Sequence, residues 1–147
     1  MVFAFFDDSG SVYEHFAPVG AKVNSDNVIE VLRKFMKSFH RKRPEMAAEE
    51  WFLHWDNAPV HTSASIRGIK TLLHPPYSPD LAPADFFLFP SIKRALSGIT
   101  IRSQSVQSAW EREVKLLSKE DFMRAFRRWL ECHKKCICLA GGYVEKM

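Results

Sequence analysis

Two aspartates, Asp56 and Asp85, stand where a carboxylate could bind a metal ion. Asp56 follows the apolar segment 51–55, which is typical of a buried strand, and α/β sheets present functional groups at the carboxyl ends of their strands. Asp85 follows the proline-rich segment 75–83 and begins a helical pattern. Carboxylates are the ligands that hard cations prefer. Spacing alone leaves a second interpretation open, in which Asp56 forms a turn and Asp85 is a charge near a helix N-terminus.

The first half of the chain predicts the elements that would carry Asp56. Segments 1–6 and 12–17 flank the turn sequence DDSG and indicate a β-hairpin. Asn24 or Ser25 can cap a helix that ends before Pro44, and its apolar face is formed by positions 28, 32, 35, 36 and 39. Short strands are then predicted at 51–55 and 70–73. Their connection is barely long enough for a crossover between parallel neighbours.

The second half predicts three helices. The stretch from 84 to about 96 is apolar and then basic, and Gly98 should end it. Ser103 and Ser118 open two amphipathic helices. Their predicted apolar faces consist of Val106, Trp110, Val114 and Leu117, and of Phe122, Phe126, Trp129 and Leu130.

Composition favours one folded domain rather than a disordered or membrane-spanning chain. The 147 residues are 46% hydrophobic and 13% aromatic, which is enough for a buried core. We find no apolar run of membrane-spanning length. The three cysteines are clustered at 132, 136 and 138, so they form no disulfide framework spread through the chain. We therefore expect an intracellular protein.

Positive charge is concentrated towards the C-terminus. Between residues 93 and 135 the chain has eleven Lys or Arg residues and five acidic ones. Such a region could contact the phosphates of a nucleic acid. The charge pattern is equally typical of a solvated helix face.

Two long segments carry distinctive motifs, FLHWDNAPVHTS (52–63) and LLHPPYSPDLAPADFFLFPSIKRAL (72–96). They resemble the mariner family of DNA transposases. In that family the motifs HxDNAxxH and HPPYSPDLAPxD carry the second and third catalytic aspartates. The resemblance extends more weakly over residues 5–26 and 139–146. It matches Asp56 to the second aspartate and Asp85 to the third, whereas Asp80 matches a motif residue that is not a metal ligand.

This resemblance implies a fold, a chemistry and partners. The implied fold is α/β and RNase H-like: a partial catalytic domain over residues 1–147, with a mixed sheet flanked by helices and a helical C-terminus. The implied chemistry is DNA strand cleavage and transfer with Mg²⁺ or Mn²⁺. DNA is the implied partner, with a homodimer as one candidate assembly in the nucleus, and neither a membrane nor a small-molecule substrate is expected.

Further residues have expected supporting roles. Asn57 and His61 belong to the matched motif and are candidates for positioning the metal site, although they could equally satisfy loop backbone groups. His54 and His74 are expected to pack or to cap strand ends. The candidate DNA contacts are Lys93, Arg94, Arg124, Arg127 and Arg128.

Two departures from the family pattern predict impaired catalysis. Residue 1 aligns with the family's second strand, so the strand that bears the first aspartate has no counterpart, and Asp7 and Asp8 fall in the hairpin turn instead. Only 28 residues separate Asp56 from Asp85, whereas the family keeps roughly 34 so that the carboxylates converge on the metals. We expect weak metal binding and impaired or lost cleavage. The alternatives are a non-catalytic DNA-binding or interaction module that uses the basic C-terminal helices, and a fragment without a selected function.

Overall fold

The computed structural model describes residues 1–55, 68–72, 74–98 and 103–140. The chain divides into two compact units, one formed by residues 1–6 and 11–76 and the other by residues 7–10 and 77–147. None of the helices in the described part of the chain combines the length and apolar character needed to cross a bilayer.

A β-hairpin opens the chain, as predicted. Strands β1 (Val2–Asp7) and β2 (Gly10–Phe16) pair in a two-stranded sheet. Their two-residue connection requires an antiparallel pair. Phe5 and Val12 are buried, so the hairpin contributes one side chain from each strand to the core.

Helix α1 (Ser25–Lys42) begins where its cap was predicted, because the Asn24 side chain accepts a hydrogen bond from the backbone N–H of Asn27 at 2.9 Å. The predicted apolar face is confirmed, because Val28, Leu32, Phe35 and Phe39 are buried and Met36 packs against the same cluster. Val31, which was not predicted, is buried as well. This face forms the core of the unit, where the ring centroids of Phe5 and Phe35 lie 4.3 Å apart.

Pro44 ends α1 but also begins a second short helix, α2 (Pro44–Ala48), which the sequence did not predict. The fixed φ of proline suits the first helical position, and its missing N–H has no intrahelical partner to lose there.

Two parallel strands, β3 (Leu53–His54) and β4 (Thr71–Leu72), pair as Leu53 with Thr71 and His54 with Leu72. Both are shorter than the predicted strands 51–55 and 70–73, and Leu73 lies outside the described residues. Most of the predicted crossover, residues 57–67, lies outside them too. Trp51 and Trp55 flank β3 and pack against the α1 core, which positions the strand that leads to Asp56.

The second unit is helical. A 3₁₀ turn (Pro79–Leu81) and a π-helical turn (Ala84–Leu88) lead into α3 (Phe89–Ala95). Helices α4 (Ser103–Leu116) and α5 (Lys119–Cys138) follow. All three predicted helices are present, and Gly98 has the positive φ of 84° expected of a residue that ends a helix.

The predicted apolar faces of α4 and α5 are each wrong at one position. Trp110, Val114 and Phe122 are buried, but Val106 and Leu130 are 37% and 58% exposed. Residues at helical spacing share a face, but the positions at the edge of that face are buried only where another element covers them.

Candidate active site

Asp85 lies at the second position of the π-helical turn, and its side chain is exposed. The turn is defined by the backbone N–H of Phe89, which donates to the carbonyl of Ala84. Pro90 gives a physical reason for this wider turn, because an α-helix would set its ring against the carbonyl of Phe86 and would leave that carbonyl without an N–H donor. Single π turns occur frequently at functional sites.

The loop before Asp85 is anchored by buried residues. Leu81 and Ala82 are each 5% exposed, and the carbonyl of Ala82 accepts hydrogen bonds from the N–H groups of Asp85 at 2.9 Å and Phe86 at 3.0 Å. These bonds fix the backbone at the start of the helix. The Asp85 carboxylate is therefore presented outwards from a held backbone rather than from a free loop.

Three contacts of aromatic rings hold the π-helical turn of Asp85 and the start of the helix that follows it. Phe87 lies 5.4 Å from Phe122 of α5, and Phe89 lies 5.6 Å from Trp110 of α4, measured between ring centroids. The Arg128 guanidinium lies over the Phe86 ring at 5.1 Å. Helices α4 and α5 thus support the backbone that carries Asp85.

The other residues of the predicted metal site lie outside the described residues. This applies to Asp56, Asn57 and His61. Within the described ranges, no group of three or more His, Cys, Asp or Glu side chains is placed to hold a metal ion. Asp85 is therefore the one predicted metal ligand whose surroundings can be described.

A pair of histidines joins the ends of β3 and β4. His54 Nε2 and His74 Nδ1 lie 3.2 Å apart, and His74 is only 8% exposed. In such a bond one ring nitrogen donates and the other accepts, so at least one of the two rings is neutral. The pair links the strand that precedes Asp56 to the segment that leads towards Asp85.

Sequence reasoning missed this histidine pair, because each residue was expected only to pack or to cap a strand. A usable signal was present. The two histidines each stand at the carboxyl end of a predicted strand, and the ends of adjacent parallel strands meet at one edge of a sheet.

The predicted DNA contacts differ in their surroundings. Lys93 and Arg94 are exposed in the last turn of α3. Arg124 forms an ion pair with Asp121 at 3.3 Å, and Arg128 lies over Phe86. Arg127 is exposed. Two of the three α5 arginines therefore also have contacts within the protein.

No protein-family model matches the chain, but individual proteins do. The Mariner Mos1 transposase of Drosophila mauritiana is 32% identical over 155 residues, which cover 99% of this chain and 45% of that protein. The histone-lysine N-methyltransferase SETMAR of Homo sapiens is 23% identical over 99% of this chain and 22% of its own length. The chain thus spans less than half of either relative.

Solved structures agree with the sequence match. The catalytic domain of Mos1 mariner transposase superposes with a TM-score of 0.87 and 28% identity, over 98% of this chain and 75% of that one. A Mos1 catalytic domain with raltegravir and Mg gives a TM-score of 0.86 at 29% identity over 98% and 76%. A Mos1 paired end complex with Mn gives 0.88 at 30% identity over 98% and 44%.

The chain therefore has the RNase H-like fold of a transposase catalytic domain, as its sequence predicted. In both sequence and structure the chain is homologous to the catalytic domain of Mos1 mariner transposase.

Proposed function

We propose that this chain takes part in divalent-metal-dependent cleavage and transfer of DNA strands, with Asp56 and Asp85 as metal ligands. The observation that carries the proposal is the exposed Asp85 carboxylate on a π-helical turn, inside a fold that matches a transposase catalytic domain. Buried Leu81 and the contacts of Phe86, Phe87 and Phe89 hold that turn. A carboxylate on a backbone held in this way loses less freedom when it binds an ion than one on a mobile loop.

The donor chemistry fits Mg²⁺ or Mn²⁺, because both ions take carboxylate oxygens. Mg and Mn accompany Mos1 in the solved structures. When bound, such an ion would activate the attacking oxygen and stabilise the leaving one. The chain's own contribution would be to hold the ion through Asp85 and Asp56, and Asn57 and His61 remain candidates for orienting it.

The histidine pair would position Asp56 indirectly. His54 stands two residues before Asp56, and its bond to the buried His74 ties it to the end of β4. This hydrogen bond restrains the backbone at the C-terminal end of β3. We assign the pair a positioning role and no direct contact with DNA or metal.

We further propose that cleavage is impaired. Only 28 residues separate Asp56 from Asp85, about six fewer than the family's spacing of roughly 34, and the convergence of the carboxylates on the metals depends on that spacing. A displacement of about 1 Å at a catalytic group can cost on the order of 100-fold in rate. Weak metal binding and slow cleavage are the expected result.

Metal titration of the 147-residue chain tests the ligand assignment. Mn²⁺ binding, followed by electron paramagnetic resonance, should weaken in Asp56→Asn and in Asp85→Asn. Asp80→Asn is the matched control, because it removes the same charge from the same motif at a residue that is not assigned to the metal. Equal Mn²⁺ affinity in Asp85→Asn and Asp80→Asn would refute the assignment.

A nicking assay on supercoiled plasmid with Mg²⁺ or Mn²⁺ tests the impairment. We expect slow or undetectable nicking by the unmodified chain. Robust nicking that disappears in Asp56→Ala would contradict the impairment but support the metal ligands.

A second candidate function is DNA binding without cleavage, through the basic C-terminal helices. The exposed Arg127 on α5 favours it. In this case duplex binding would fall steeply with salt, and neutralising Arg124, Arg127 and Arg128 together would make the dependence shallower. No duplex binding near physiological salt would exclude this candidate.

The location and assembly of the protein follow from a role on chromosomal DNA. We propose a nuclear protein, which imaging of a tagged chain can test. A relative forms a paired end complex, so we also propose a homodimer on DNA ends, which light scattering with and without DNA can test.

A further inference from the structure

A basic groove on the first unit is not part of the predicted DNA-contact set. It is an open depression of about 340 Å³ lined by Tyr13, Lys34, Lys37, Ser38 and Arg41. Tyr13 comes from β2, and the other four come from α1. Their spacing of three, four and seven residues places them on one face of the helix. The groove therefore combines three cationic groups with two hydroxyl groups.

The cations of this groove are only partly neutralised. Glu30 forms a bidentate pair with Arg33 and lies 3.7 Å from Lys34, so it reaches one end of the groove. Among the described residues, neither Lys37 nor Arg41 forms an ion pair with a carboxylate. Two positive charges therefore face the groove without a counterion from the described part of the chain.

The hydroxyl groups add hydrogen-bonding capacity. Ser38 Oγ donates to the carbonyl of Val12 at 3.2 Å, which fixes it against β2. Burial and the nearby charge of Glu30 raise the pKa of Tyr13, so its phenol stays neutral at pH 7 and keeps its O–H. The Tyr13 oxygen lies 3.3 Å from His15 Nδ1. Burial and Lys34 lower the pKa of His15, so this ring is mostly neutral at pH 7.

The length of the groove suits a chain of phosphates better than a single one. Arg41 lies seven positions after Lys34, which is about 10 Å along a helix that rises about 1.5 Å per residue. A DNA strand rises about 3.4 Å per nucleotide. The row of cations therefore matches about three nucleotides of one strand.

We propose that this groove binds the backbone phosphates of a DNA strand, through Lys34, Lys37 and Arg41 with help from the Tyr13 hydroxyl. The proposal rests on the proposed role of the chain on DNA, but it does not depend on the metal site. Phosphate contacts of this kind position a protein on DNA without reading its sequence. The groove would thus add sequence-independent contacts to those of the α5 arginines.

The test is duplex binding by the 147-residue chain over a range of salt concentrations, in EDTA so that no metal site contributes. The variant Lys37→Gln/Arg41→Gln removes the two uncompensated charges of the groove. The control Lys22→Gln/Lys42→Gln removes the same charge from exposed residues of the same unit that do not line the groove. Circular dichroism confirms that both variants are folded.

The expected result is a change in the salt slope. Each phosphate contact contributes about 0.9 to the slope of log K against log salt, so Lys37→Gln/Arg41→Gln should make it shallower by about 2, and the control variant should change it little. Equal slopes for the two variants, or no duplex binding by the unmodified chain, would overturn the proposal. So would binding of inorganic phosphate that competes with duplex at millimolar concentration, because it would identify a site for a single anion.

The two proposals fail separately. Unchanged Mn²⁺ binding in Asp85→Asn, with intact duplex binding in EDTA, would refute only the metal-site proposal. An unchanged salt slope in Lys37→Gln/Arg41→Gln, with intact Mn²⁺ binding, would refute only the groove proposal. A Tyr13→Phe variant adds a third readout, because it removes only the hydroxyl and should weaken duplex binding without changing the salt slope.

Discussion

The core beneath α1 can be tested with a matched pair of valines. Val28 is 0% exposed and Val19 is 94% exposed, and both belong to the first unit. Val28→Ala removes two buried carbon groups, worth about 1.6 kcal/mol at about 0.8 each. The cavity left behind adds roughly 1 kcal/mol, and the better helix propensity of alanine offsets up to about 0.5 kcal/mol. We expect a loss of about 2 kcal/mol in the free energy of unfolding.

Urea unfolding followed by tryptophan fluorescence measures this loss, because Trp51 and Trp55 pack against the same core. With a denaturant slope of about 2 kcal/mol per molar, the midpoint of Val28→Ala should fall by about 1 M urea. Val19→Ala makes the same chemical change at an exposed position and should stay within about 0.5 kcal/mol of the unmodified chain. Equal midpoints for Val28→Ala and Val19→Ala would refute the assignment of Val28 to the core.

Further predictions concern α5 and its contacts. Ser118→Ala removes the cap of α5 and should cost about 1 kcal/mol in thermal unfolding, whereas Ser118→Asp, which keeps an acceptor, should cost less. The N–H and hydroxyl of Ser118 donate hydrogen bonds to Asp121 and lower its pKa in the folded chain below the unfolded pKa near 3.8. The stabilisation by Asp121 is therefore complete above the unfolded pKa, and it is lost as the pH falls through the lower folded pKa. Stability differences between the unmodified chain and Asp121→Asn should accordingly shrink in acid. Arg128→Ala removes the contact with Phe86 and should lower the free energy of unfolding by about 0.5–1 kcal/mol. Arg127→Ala should leave that free energy unchanged and make the salt slope of duplex binding shallower by about 1. A loss of stability in Arg127→Ala with none in Arg128→Ala would contradict both roles.

The helices were predictable because their signals are local. Asn24 and Ser118 cap the helices that they were expected to cap, and each side-chain oxygen accepts from a backbone N–H three residues ahead. Gly98 likewise occupies a conformation that other residues rarely adopt. These features depend on a few consecutive residues, so a single sequence contains nearly all of the information.

The strands and the edges of the helix faces were less predictable, because they depend on partners elsewhere in the chain. A strand is as long as its neighbour allows, and β3 pairs with β4 over only two residues. Leu130 follows the same spacing as Phe122, yet it is exposed because burial requires a covering element. Periodicity identifies the side of a helix that could be buried, but not how much of that side is covered.

Arg127 and Arg128 show why candidate contacts cannot be ranked from charge alone. They are adjacent and identical in type, but successive helical residues point about 100° apart, and only Arg128 lies over the Phe86 ring. The same geometry separates the lysines of α1, where Lys37 lines the groove and Lys42 does not. Positive charge is compatible with a partner such as DNA, but the direction of each side chain on its helix determines which charges are available to bind it.

The neighbourhood of Asp85 combines both kinds of information. Its backbone follows from nearby residues: Pro90 accounts for the π turn, and Ala82 anchors the start of the helix. Its relation to Asp56 depends instead on the 28 residues between them. The local presentation of a carboxylate and the convergence of two carboxylates therefore depend on different parts of the sequence. Under the proposed function both Mn²⁺ affinity and strand cleavage depend on that convergence, so each is measured by its own assay.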